Sequence, residues 1–448
     1  MNRTASTFAA LVALLLTAGA AGAQTVTWEK TYGTNAFFTA IERTPDGGYI
    51  LVGQTGNAPG RLLALKTDAN GVEQWQKSYG GVTPTDVAFA NGVTTTADGG
   101  FLVAGGRLGA PYLMKLTASG DSVWARTYGV DAGNGTGSSL ATVATSDGGY
   151  LAVGNLFRSG FNASRIHLYK VDASGVQQWE KFYGNPDDAN LGAMIRRTSD
   201  GSFAIAGYHG MEPGADIYLA KVDASGDKVW DAAYEGIRST RDRDDARDLR
   251  QTSDGGFVLA GRRAVTATSY DTDLMVMKTD ATGAKLWEKS FGGAGYDLAH
   301  AMQLTGDGGM IVVGAETATL TYADRRVWVL KLDAGGNKVW ETTLVNGAGR
   351  GVVVNTDGSI VIAGSSGSQA YLAKLGGAVV SPDRKAYRYP STANVLYELR
   401  SPVEWQGAGP GRISVSNQTI TINGLVKFTG TMTIDTTQAA AGGTAAFT

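Results

Sequence analysis

Residues 287–314 read WEKSFGGAGYDLAHAMQLTGDGGMIVVG, and this stretch contains the features that decide the fold. An aromatic segment starts at Trp287, and the dipeptide Asp307-Gly308 then opens a short apolar run that reaches Gly314. Asp-Gly between apolar segments favours a hairpin turn, because glycine tolerates the positive φ that such turns need. A short, uninterrupted apolar run bounded by turns is typical of a buried strand. We therefore predict two adjacent β-strands joined at this dipeptide.

The same pattern recurs seven times along the chain, at spacings of 49 to 54 residues. We number the repeats as units 1 to 7 by their aspartates, which are Asp46, Asp98, Asp147, Asp200, Asp254, Asp307 and Asp357. A glycine follows each aspartate seven residues later, and we expect it to close the strand; these are Gly53, Gly105, Gly154, Gly207, Gly261, Gly314 and Gly364. A period of this length indicates a repeat architecture built from one supersecondary unit.

A lysine ends a second apolar segment in every unit: Lys66, Lys115, Lys170, Lys221, Lys278, Lys331 and Lys374. A tryptophan follows six of these lysines nine residues later: Trp75, Trp124, Trp179, Trp230, Trp287 and Trp340. We name the strands A (before Asp-Gly), B (after it), C (ending in lysine) and D (with tryptophan). One lysine per unit predicts a repeated structural pairing or a solvated side chain, and the tryptophans predict packing between units.

The seventh unit has no D strand after Lys374, whereas Trp28-Glu29-Lys30-Thr31-Tyr32 precedes the first unit. The order is therefore D, six times ABCD, and then ABC. This displacement predicts an all-β fold, a seven-bladed β-propeller over residues 24–376 in which residues 25–32 complete the last blade. Such closure removes the open sheet edges of a row of blades. A β-solenoid is the alternative, but it does not explain a D strand at the front.

The N-terminal residues 1–23 have the pattern of a secretory signal peptide. Arg3 is followed by an apolar run over residues 8–16 and by Ala21-Gly22-Ala23. The run is too short to span a bilayer, and we expect no transmembrane segment in the mature chain. We therefore predict an exported protein that is periplasmic, at the cell surface or extracellular. The chain contains no Cys, so its stability has to come from burial and not from disulfides.

The repeat stops after Lys374, and we divide the remaining chain into a linker and a small β-rich segment. Residues 377–390 are predicted to be the linker, and residues 391–448 the β-rich segment, ending in a flexible tail. Alternating apolar residues flank Asn423-Gly424. That dipeptide predicts a β-hairpin within the segment.

Composition excludes several classes of function. With 39 Lys and Arg against 41 Asp and Glu, the net charge is −2, so no nucleic-acid partner is predicted. The chain has three histidines, in three different units and at no metal-binding spacing. We expect no metal or other cofactor; Ca²⁺ at acidic loops such as residues 185–188 is the alternative, although the regular calcium-loop pattern is absent.

The segment from Trp287 to Gly309 resembles the propeller repeats of bacterial and archaeal surface proteins. The segment from Lys170 to Trp179 is distantly similar to the propeller repeats of quinoproteins, which bind pyrroloquinoline quinone (PQQ). The resemblance covers residues 25–376 and implies the fold. It implies no particular activity, because propellers have many unrelated functions. Quinoprotein enzymes also hold a calcium ion and usually have eight blades, whereas seven units are present here.

Connection lengths distinguish the two ends of the predicted blades. The A–B and C–D turns have a constant length, whereas the spacings across the B–C and D–A connections vary from 17 to 24 residues. In an up-and-down blade the variable connections share one face, which we call the loop face, and the turns share the opposite turn face. Binding residues concentrate on loops carried by a rigid scaffold. We predict that the loop face binds the ligand; drift in solvent-exposed loops is the alternative.

The longest loops meet around unit 5 and are rich in arginine and tyrosine. Guanidinium groups suit carboxylate, phosphate or acidic-sugar ligands. The predicted binding residues are Arg238, Arg241, Arg243, Arg262, Arg263 and Tyr270, with Tyr208 and His209 from unit 4 and Arg325 and Arg326 from unit 6. Acidic residues alternate with these arginines, so a solvated, self-neutralising ion-pair cluster is the alternative.

Taken together, these features predict a non-enzymatic binding or scaffold module in the cell envelope or outside the cell. Its expected partner is an envelope protein or a glycan. The alternative is a secreted enzyme, glycan-active or quinoprotein-like, that uses the same face. A third hypothesis is an assembly factor like the PQQ-repeat outer-membrane lipoproteins, but the chain has no cysteine to carry a lipid.

Overall fold

The computed structural model describes the repeat region and six short strands beyond it. The described residues are 25–56, 60–80, 86–129, 135–158, 163–184, 190–210, 214–237, 244–268, 270–319, 324–376, 397–400, 404–405, 411–414, 420–423, 427–428 and 432–435. Over these residues the protein consists of strands and turns, with no α-helix. No helix in the described part of the chain is long and apolar enough to cross a membrane.

The first strand, β1 (Val26–Tyr32), precedes unit 1. The strands of units 1 to 3 are β2 (Ala36–Arg43), β3 (Tyr49–Thr55), β4 (Leu62–Thr67), β5 (Glu73–Tyr79), β6 (Ala88–Thr95), β7 (Phe101–Arg107), β8 (Ala110–Leu116), β9 (Ser122–Thr127), β10 (Gly135–Ala144), β11 (Tyr150–Arg158), β12 (Arg165–Val171) and β13 (Gln177–Tyr183).

Units 4 to 7 continue the same order of strands. They contain β14 (Asn190–Arg197), β15 (Phe203–His209), β16 (Asp216–Val222), β17 (Lys228–Tyr234), β18 (Asp245–Gln251), β19 (Phe257–Ala264), β20 (Thr272–Thr279), β21 (Lys285–Phe291), β22 (Leu298–Leu304), β23 (Met310–Glu316), β24 (Arg326–Leu332), β25 (Lys338–Val354), β26 (Ile360–Ser366) and β27 (Gln369–Leu375).

Each of units 1 to 5 is a separate four-stranded antiparallel sheet, as predicted from the repeat. Units 6 and 7 share a seven-stranded sheet in the order β1-β27-β26-β25-β24-β23-β22. The long strand β25 serves both units, because its first part pairs with β24 and its second part, from Gly347, pairs with β26. Trp340 and Asp357 are only 17 residues apart, the shortest D–A spacing of the chain, so the strand continues where the other units have a loop.

The N-terminal strand β1 pairs with β27, the last strand of unit 7, in antiparallel register. Trp28 lies opposite Lys374, and Tyr32 lies opposite Ala370. The A strands of successive units also contact one another, and β2 contacts both β6 and β25. The N-terminal strand therefore occupies the D position that unit 7 lacks.

Apolar side chains fill the spaces between neighbouring sheets. Between units 1 and 2, for example, Ile50 and Val52 of β3 pack with Val93 of β6 and with Phe101 and Val103 of β7. The B strands are buried along their apolar runs, which agrees with the prediction from their uninterrupted hydrophobicity. The core is thus a series of interfaces between sheets.

The Asp-Gly turns form as predicted, with positive φ at the glycines Gly47, Gly99, Gly148, Gly201, Gly255, Gly308 and Gly358. Each turn aspartate faces the lysine of its own unit, at 2.5–2.9 Å in units 1 to 6 and at 3.9 Å in unit 7. This confirms the prediction of a repeated structural pairing. In unit 5 the Lys278 side chain is 8% exposed and that of Asp254 is 59% exposed, so the carboxylate covers a nearly buried ammonium group.

The glycines seven residues after the aspartates do not close their strands, so that prediction is wrong. Gly53 lies inside β3, which continues to Thr55. The strand before it carries a β-bulge in every unit, and each of these glycines lies opposite its bulge. A Cβ there would meet a backbone carbonyl oxygen of the A strand at 1.8–2.0 Å. Close approach of the two backbones therefore requires glycine.

The D strands join neighbouring units, as the tryptophans predicted. The ring of Trp28 lies against Gly71 in the C–D turn of unit 1, and five later tryptophans repeat this contact with the next unit: Trp75, Trp124, Trp179, Trp230 and Trp287. Four residues after a tryptophan, the tyrosine hydroxyl donates to the carbonyl oxygen of the same glycine; these tyrosines are Tyr32, Tyr79, Tyr128, Tyr183 and Tyr234. Each pair therefore joins two units through packing and a hydrogen bond.

The C-terminal segment contains β28 (Tyr397–Arg400), β29 (Glu404–Trp405), β30 (Gly411–Ser414), β31 (Ile420–Asn423), β32 (Lys427–Phe428) and β33 (Met432–Asp435). The hairpin predicted at Asn423-Gly424 is wrong, because β31 pairs with β28 and β32 pairs with β29, both in parallel. Strand β30 pairs with β33 in the same way. The predicted signal peptide, linker and flexible tail lie outside the described residues.

Candidate functional site

A cavity of about 330 Å³ lies among the A strands of all seven units, and we call it the central cavity. The bulged residue of every A strand lines it: Thr39, Asn91, Leu140, Ala193, Arg247, His300 and Arg350. A bulge adds one residue to a strand and changes the direction of the local side chain, which is why bulges are common beside functional sites. The seven-fold repeat thus places the side chain of one bulged residue from each unit at this site.

These seven residues were missed by the sequence analysis, although a signal for them exists. Each one precedes the aspartate of its unit by seven residues, just as the glycine opposite the bulge follows it by seven. His300 and Gly314, for example, lie symmetrically about Asp307. This spacing cannot be interpreted from the sequence alone, because the bulge appears only when strands A and B are paired.

Charge is distributed unevenly around the ring that the seven bulged residues form at the cavity. Units 5, 6 and 7 contribute Arg247, His300 and Arg350, which are consecutive in the order of the units. The other four units contribute a threonine, an asparagine, a leucine and an alanine. One side of the central cavity is therefore cationic, and the remainder of the ring is neutral.

Arg247 is held by hydrogen bonds to two neighbours. Its Nε and Nη2 donate to the two oxygens of Asp245, at 3.0 and 3.3 Å, and its Nη1 lies 3.1 Å from Nδ1 of His300. Asp245 also accepts a hydrogen bond of 3.1 Å from Nε of Arg262. One carboxylate therefore serves two guanidinium groups at this side of the cavity.

His300 is a neutral side chain in this setting. A guanidinium group can only donate, so the contact with Arg247 makes Nδ1 the acceptor and places the ring proton on Nε2. Burial, followed by the charges of Arg247, Arg350, Arg325 and Arg262, holds the pKa of His300 well below its usual value. The Nε2 atom is buried and has no hydrogen-bond partner among the described residues.

Arg350 has no acidic partner in the described part of the chain. Its guanidinium group lies over the ring of Phe37, 5.0 Å from the ring centroid. Burial, together with the charges of Arg325 and Arg247, lowers the pKa of Arg350 to about 10. Its Nε is also buried and has no hydrogen-bond partner among the described residues. The group is therefore a charged donor that the described residues leave incompletely satisfied.

Beyond the bulges along the A strands, acidic side chains accompany the arginines that line the cavity. Asp248 accepts hydrogen bonds from Arg250 at 2.7 Å and from Arg196 at 3.2 Å, and its second oxygen accepts from the backbone N–H of Met302 at 2.9 Å. Glu42 of unit 1 also lines the cavity. Burial raises the pKa of Glu42, and the charges of Arg196 and Arg250 oppose that rise. Arg196, Arg250 and Asp248 thus form a hydrogen-bonded network between units 4 and 5, and the charges of its arginines act on Glu42 of unit 1.

Three of the residues predicted from the sequence lie at or beside the central cavity. Tyr208 is buried and lines it. Arg262 is buried against Asp245, and its guanidinium carbon lies 5.9 Å from the centroid of the Tyr296 ring. Arg325 is half-buried, and its charge acts on both His300 and Arg350.

The other described members of the predicted cluster have different surroundings. Arg263 is buried, donates to Asp244 at 2.8 Å and forms two hydrogen bonds of 2.7 and 2.8 Å with Glu288. This is the self-neutralising ion pairing that the alternative predicted, although here it is buried. The remaining side chains lie apart: the His209 ring stands edge-on to Tyr218, Arg326 pairs with Glu316, and Tyr270 is 47% exposed.

Arg238, Arg241 and Arg243, which complete the predicted cluster, lie outside the described residues. Their part in the binding hypothesis stays a prediction. The same holds for the calcium alternative at residues 185–188. Within the described part of the chain, no group of three or more His, Asp or Glu side chains could hold a metal ion.

A second depression, of about 610 Å³, lies along the outer strands of units 3 and 4. Its two lysines are already paired, since Lys181 contacts Asp227 at 2.5 Å and Lys228 contacts Asp231 at 3.0 Å. His167, beside it, contacts Glu180 at 2.9 Å and stacks on Phe182. Although this depression is larger, we take the central cavity as the candidate site, because Arg350, which lines it, has no acidic partner among the described residues.

Comparisons with known proteins find only distant structural similarity, at TM-scores below 0.5. No protein-family model and no curated protein sequence matches the chain. Similar solved structures include YCF48 bound to D1 peptide, at 12% identity and a TM-score of 0.47, covering 78% of this chain and 96% of that one. Drosophila Semaphorin 1b, extracellular domains 1–2, is 11% identical with a TM-score of 0.47, covering 79% of this chain and 87% of that one.

A third similar structure is BBS1N in complex with ARL6DN, at 13% identity and a TM-score of 0.45, covering 79% of this chain and 97% of that one. These neighbours are propeller-like, with repeated four-stranded sheets. The particular surface-protein repeat family of the sequence resemblance stays a prediction, because no family model matches. At this level of similarity neither ligand nor partner can be transferred, so function has to be argued from the residues of this chain.

Proposed function

We propose that this chain is an exported, non-enzymatic, seven-bladed β-propeller that binds a ligand or partner in the cell envelope or outside the cell. Ring closure through β1 is supported by the pairing of β1 with β27 and by the contacts of Trp28 and Tyr32 with Gly71 of unit 1. Export is supported by the signal-peptide pattern of residues 1–23. N-terminal sequencing of the exported protein tests this point, with Gln24 expected first.

One observation carries the binding proposal: the central cavity has a cationic side whose arginines exceed their acidic partners among the described residues. Arg247 lies near the start of β18, the end of an A strand that adjoins a D–A loop. The cationic side is therefore near the loop face. Concave sites with a few convergent polar groups are the usual form of ligand sites. An envelope glycan or protein that presents an anionic group fits this chemistry.

The proposal is tested by capture of an envelope component on the immobilised, full-length exported protein. The bound component is identified by glycan analysis and mass spectrometry, and its affinity is then measured with the purified component. Tyr270→Ala, on the loop face, should weaken binding about fivefold or more, because exposed tyrosines often carry binding energy.

Val72→Ala is the matched control on the turn face. Val72 is 52% exposed and Tyr270 is 47% exposed, so the two variants remove side chains of similar accessibility from opposite faces. If Val72→Ala weakens binding and Tyr270→Ala does not, the partner binds the turn face, which contradicts the proposed loop-face site. Capture of no envelope component by the wild-type protein would contradict the binding function itself.

A further inference from the structure

We propose that Arg247 and Arg350 together form a subsite for one carboxylate or phosphate group on a small, otherwise uncharged ligand or ligand segment. This inference deepens the proposed binding function and rests on it, since it states which chemistry the central cavity takes. It differs from the loop-face prediction in its residues, because neither Arg247 nor Arg350 belongs to the predicted loop cluster.

The position of the two arginines supports a shared subsite. They occupy equivalent bulge positions in units 5 and 7, on either side of His300 in unit 6, and all three side chains line the central cavity. Arg247 contacts His300 directly, and the charges of Arg247 and Arg350 both act on the His300 ring. Arg247 uses three of its five N–H groups on Asp245 and His300. Two guanidinium groups that line one small cavity suit an anion with two or three oxygens.

The electrostatics of the central cavity support the same conclusion. Arg350 lies within the influence of two other cations, Arg325 and Arg247, and has no acidic partner among the described residues. Its buried Nε lacks a hydrogen-bond acceptor there. Burying like charges and leaving a charged donor unsatisfied costs stability. Such a cost is typical of a functional site, and an anion between the two arginines would remove it.

His300 serves as a positioning residue for Arg247. Its Nδ1 accepts the hydrogen bond from Nη1 of Arg247, while Asp245 accepts from Nε and Nη2 of the same group. The guanidinium plane is thus fixed from two sides before a ligand arrives. Preorganisation of this kind lowers the entropic cost of binding.

The other four bulged residues and the cavity volume limit the chemistry and the size of the rest of the ligand. Thr39 and Asn91 offer hydroxyl and amide groups, and Leu140 and Ala193 offer apolar contacts. None of these four side chains carries a charge, so only the head of the ligand is matched by ionic groups. A volume of about 330 Å³ is at the lower end for small-molecule sites. A monosaccharide with a single acidic group has this combination of properties.

The test is isothermal titration of the full-length exported protein with three probes: glucuronate, glucose 6-phosphate and glucose. We expect glucuronate or glucose 6-phosphate to bind and glucose not to bind detectably, and the stronger of the two anions identifies the head group. Arg350→Gln and Arg247→Gln should each weaken binding of that anion about tenfold or more, the effect of losing a charged hydrogen bond. Raising the salt concentration should also weaken it.

Three further variants separate a binding role from a general effect. Arg126→Gln removes the same charge from an exposed position on β9 and should leave the affinity unchanged. His300→Gln keeps an acceptor for Arg247 and should retain affinity within about threefold, whereas His300→Leu should lose about tenfold. The unfolding temperature of every variant is recorded, so that loss of binding is not confused with loss of the fold.

Two results overturn the subsite: neither anion binds the folded wild-type protein, or both arginine variants bind the anion as the wild type does. Either result leaves the proposed function standing if the envelope component is still captured. The opposite outcome, anion binding without capture of any envelope component, supports the subsite and contradicts an envelope partner.

Discussion

The hydroxyl of Tyr32 donates a hydrogen bond of 2.5 Å to the carbonyl oxygen of Gly71, and this bond joins the N-terminal strand to unit 1. The same strand is hydrogen-bonded along its length to β27 of unit 7. A single strand thus contacts the first and the last unit, which are far apart in sequence. Since four other tyrosines make the equivalent bond to the next unit, this contact is one of a series.

Deletion of residues 24–33 should abolish cooperative unfolding, because it removes β1 from the sheet of unit 7 and leaves unit 1 without its neighbour. Urea denaturation followed by tryptophan fluorescence and by circular dichroism measures this. We expect a broad transition that differs between the two probes.

Tyr32→Phe and Tyr128→Phe form the matched pair for that deletion. Both lose one buried hydroxyl bond to a glycine carbonyl, one at the junction of units 7 and 1 and one between units 2 and 3. If the two junctions are equivalent, each variant should lose about 1 kcal/mol in the free energy of unfolding. A deletion variant that unfolds cooperatively at the wild-type urea concentration would contradict the role of β1.

The glycines opposite the bulges give the second prediction. In Gly261→Ala the added Cβ would meet the carbonyl oxygen of Asp245 at 1.9 Å, so strands β18 and β19 must separate at the bulge that carries Arg247. We expect a loss of about 1–3 kcal/mol in the free energy of unfolding, the usual cost of overpacking, together with weaker anion binding.

Gly306→Ala is the control for this change. Nothing lies within 4 Å of a Cβ at Gly306, and the equivalent turn position is proline in unit 1 and alanine in unit 2. Its free energy of unfolding should stay within about 0.5 kcal/mol of the wild type. Equal effects of the two substitutions would show that the bulge glycines have no special role.

Much of the repeat could be predicted from the sequence, because it depends on local chemistry. Asp46-Gly47 sets its turn through the φ that glycine allows, and the period of two along a strand places Trp28 and Tyr32 on one face. The role of Gly53 could not be predicted in this way. It depends on the register between β2 and β3, and the extra residue in the bulge is invisible until the strands are paired.

The candidate site was harder to predict for the same reason. Arg263 and Arg247 look alike in the sequence, yet Arg263 is buried against Asp244 and Glu288 while Arg247 lines the central cavity. Only the pairing of the strands separates a structural arginine from one that faces a cavity. The loop cluster was predicted from the density of arginine, which cannot distinguish the two.

Asp297 gives a prediction for the dependence of stability on pH. Burial raises the pKa of Asp297 to about 6, with smaller contributions from the charges of Glu316 and Asp273, although the backbone N–H groups of Gly293 and Thr317 donate to it. The folded state therefore holds this proton more tightly than the unfolded state. Its stabilising contribution is present below about pH 4 and is lost as the pH rises through about 6.

Comparison of the wild type with Asp297→Asn measures this effect. The free energy of unfolding of the wild type, relative to the variant, should fall by up to about 3 kcal/mol between pH 4 and pH 7. Asp254→Asn is the control of opposite sign, because hydrogen bonds from Thr252 and Lys278 lower the pKa of Asp254 to about 2. Its relative stability should change between pH 4 and pH 2 and stay constant above. A difference in the free energy of unfolding between the wild type and Asp297→Asn that does not change with pH would contradict the prediction.

The most direct test of the anion subsite compares the melting temperatures of the wild type and Arg350→Gln at increasing inorganic phosphate and constant ionic strength. Ligand binding to the folded state raises the melting temperature by mass action. We expect Arg350→Gln, freed of repulsion from Arg247 and Arg325, to melt at a higher temperature than the wild type without phosphate and to gain little from phosphate. The melting temperature of the wild type should rise steadily with phosphate. Parallel curves, or a lower melting temperature for Arg350→Gln without phosphate, would contradict the anion subsite.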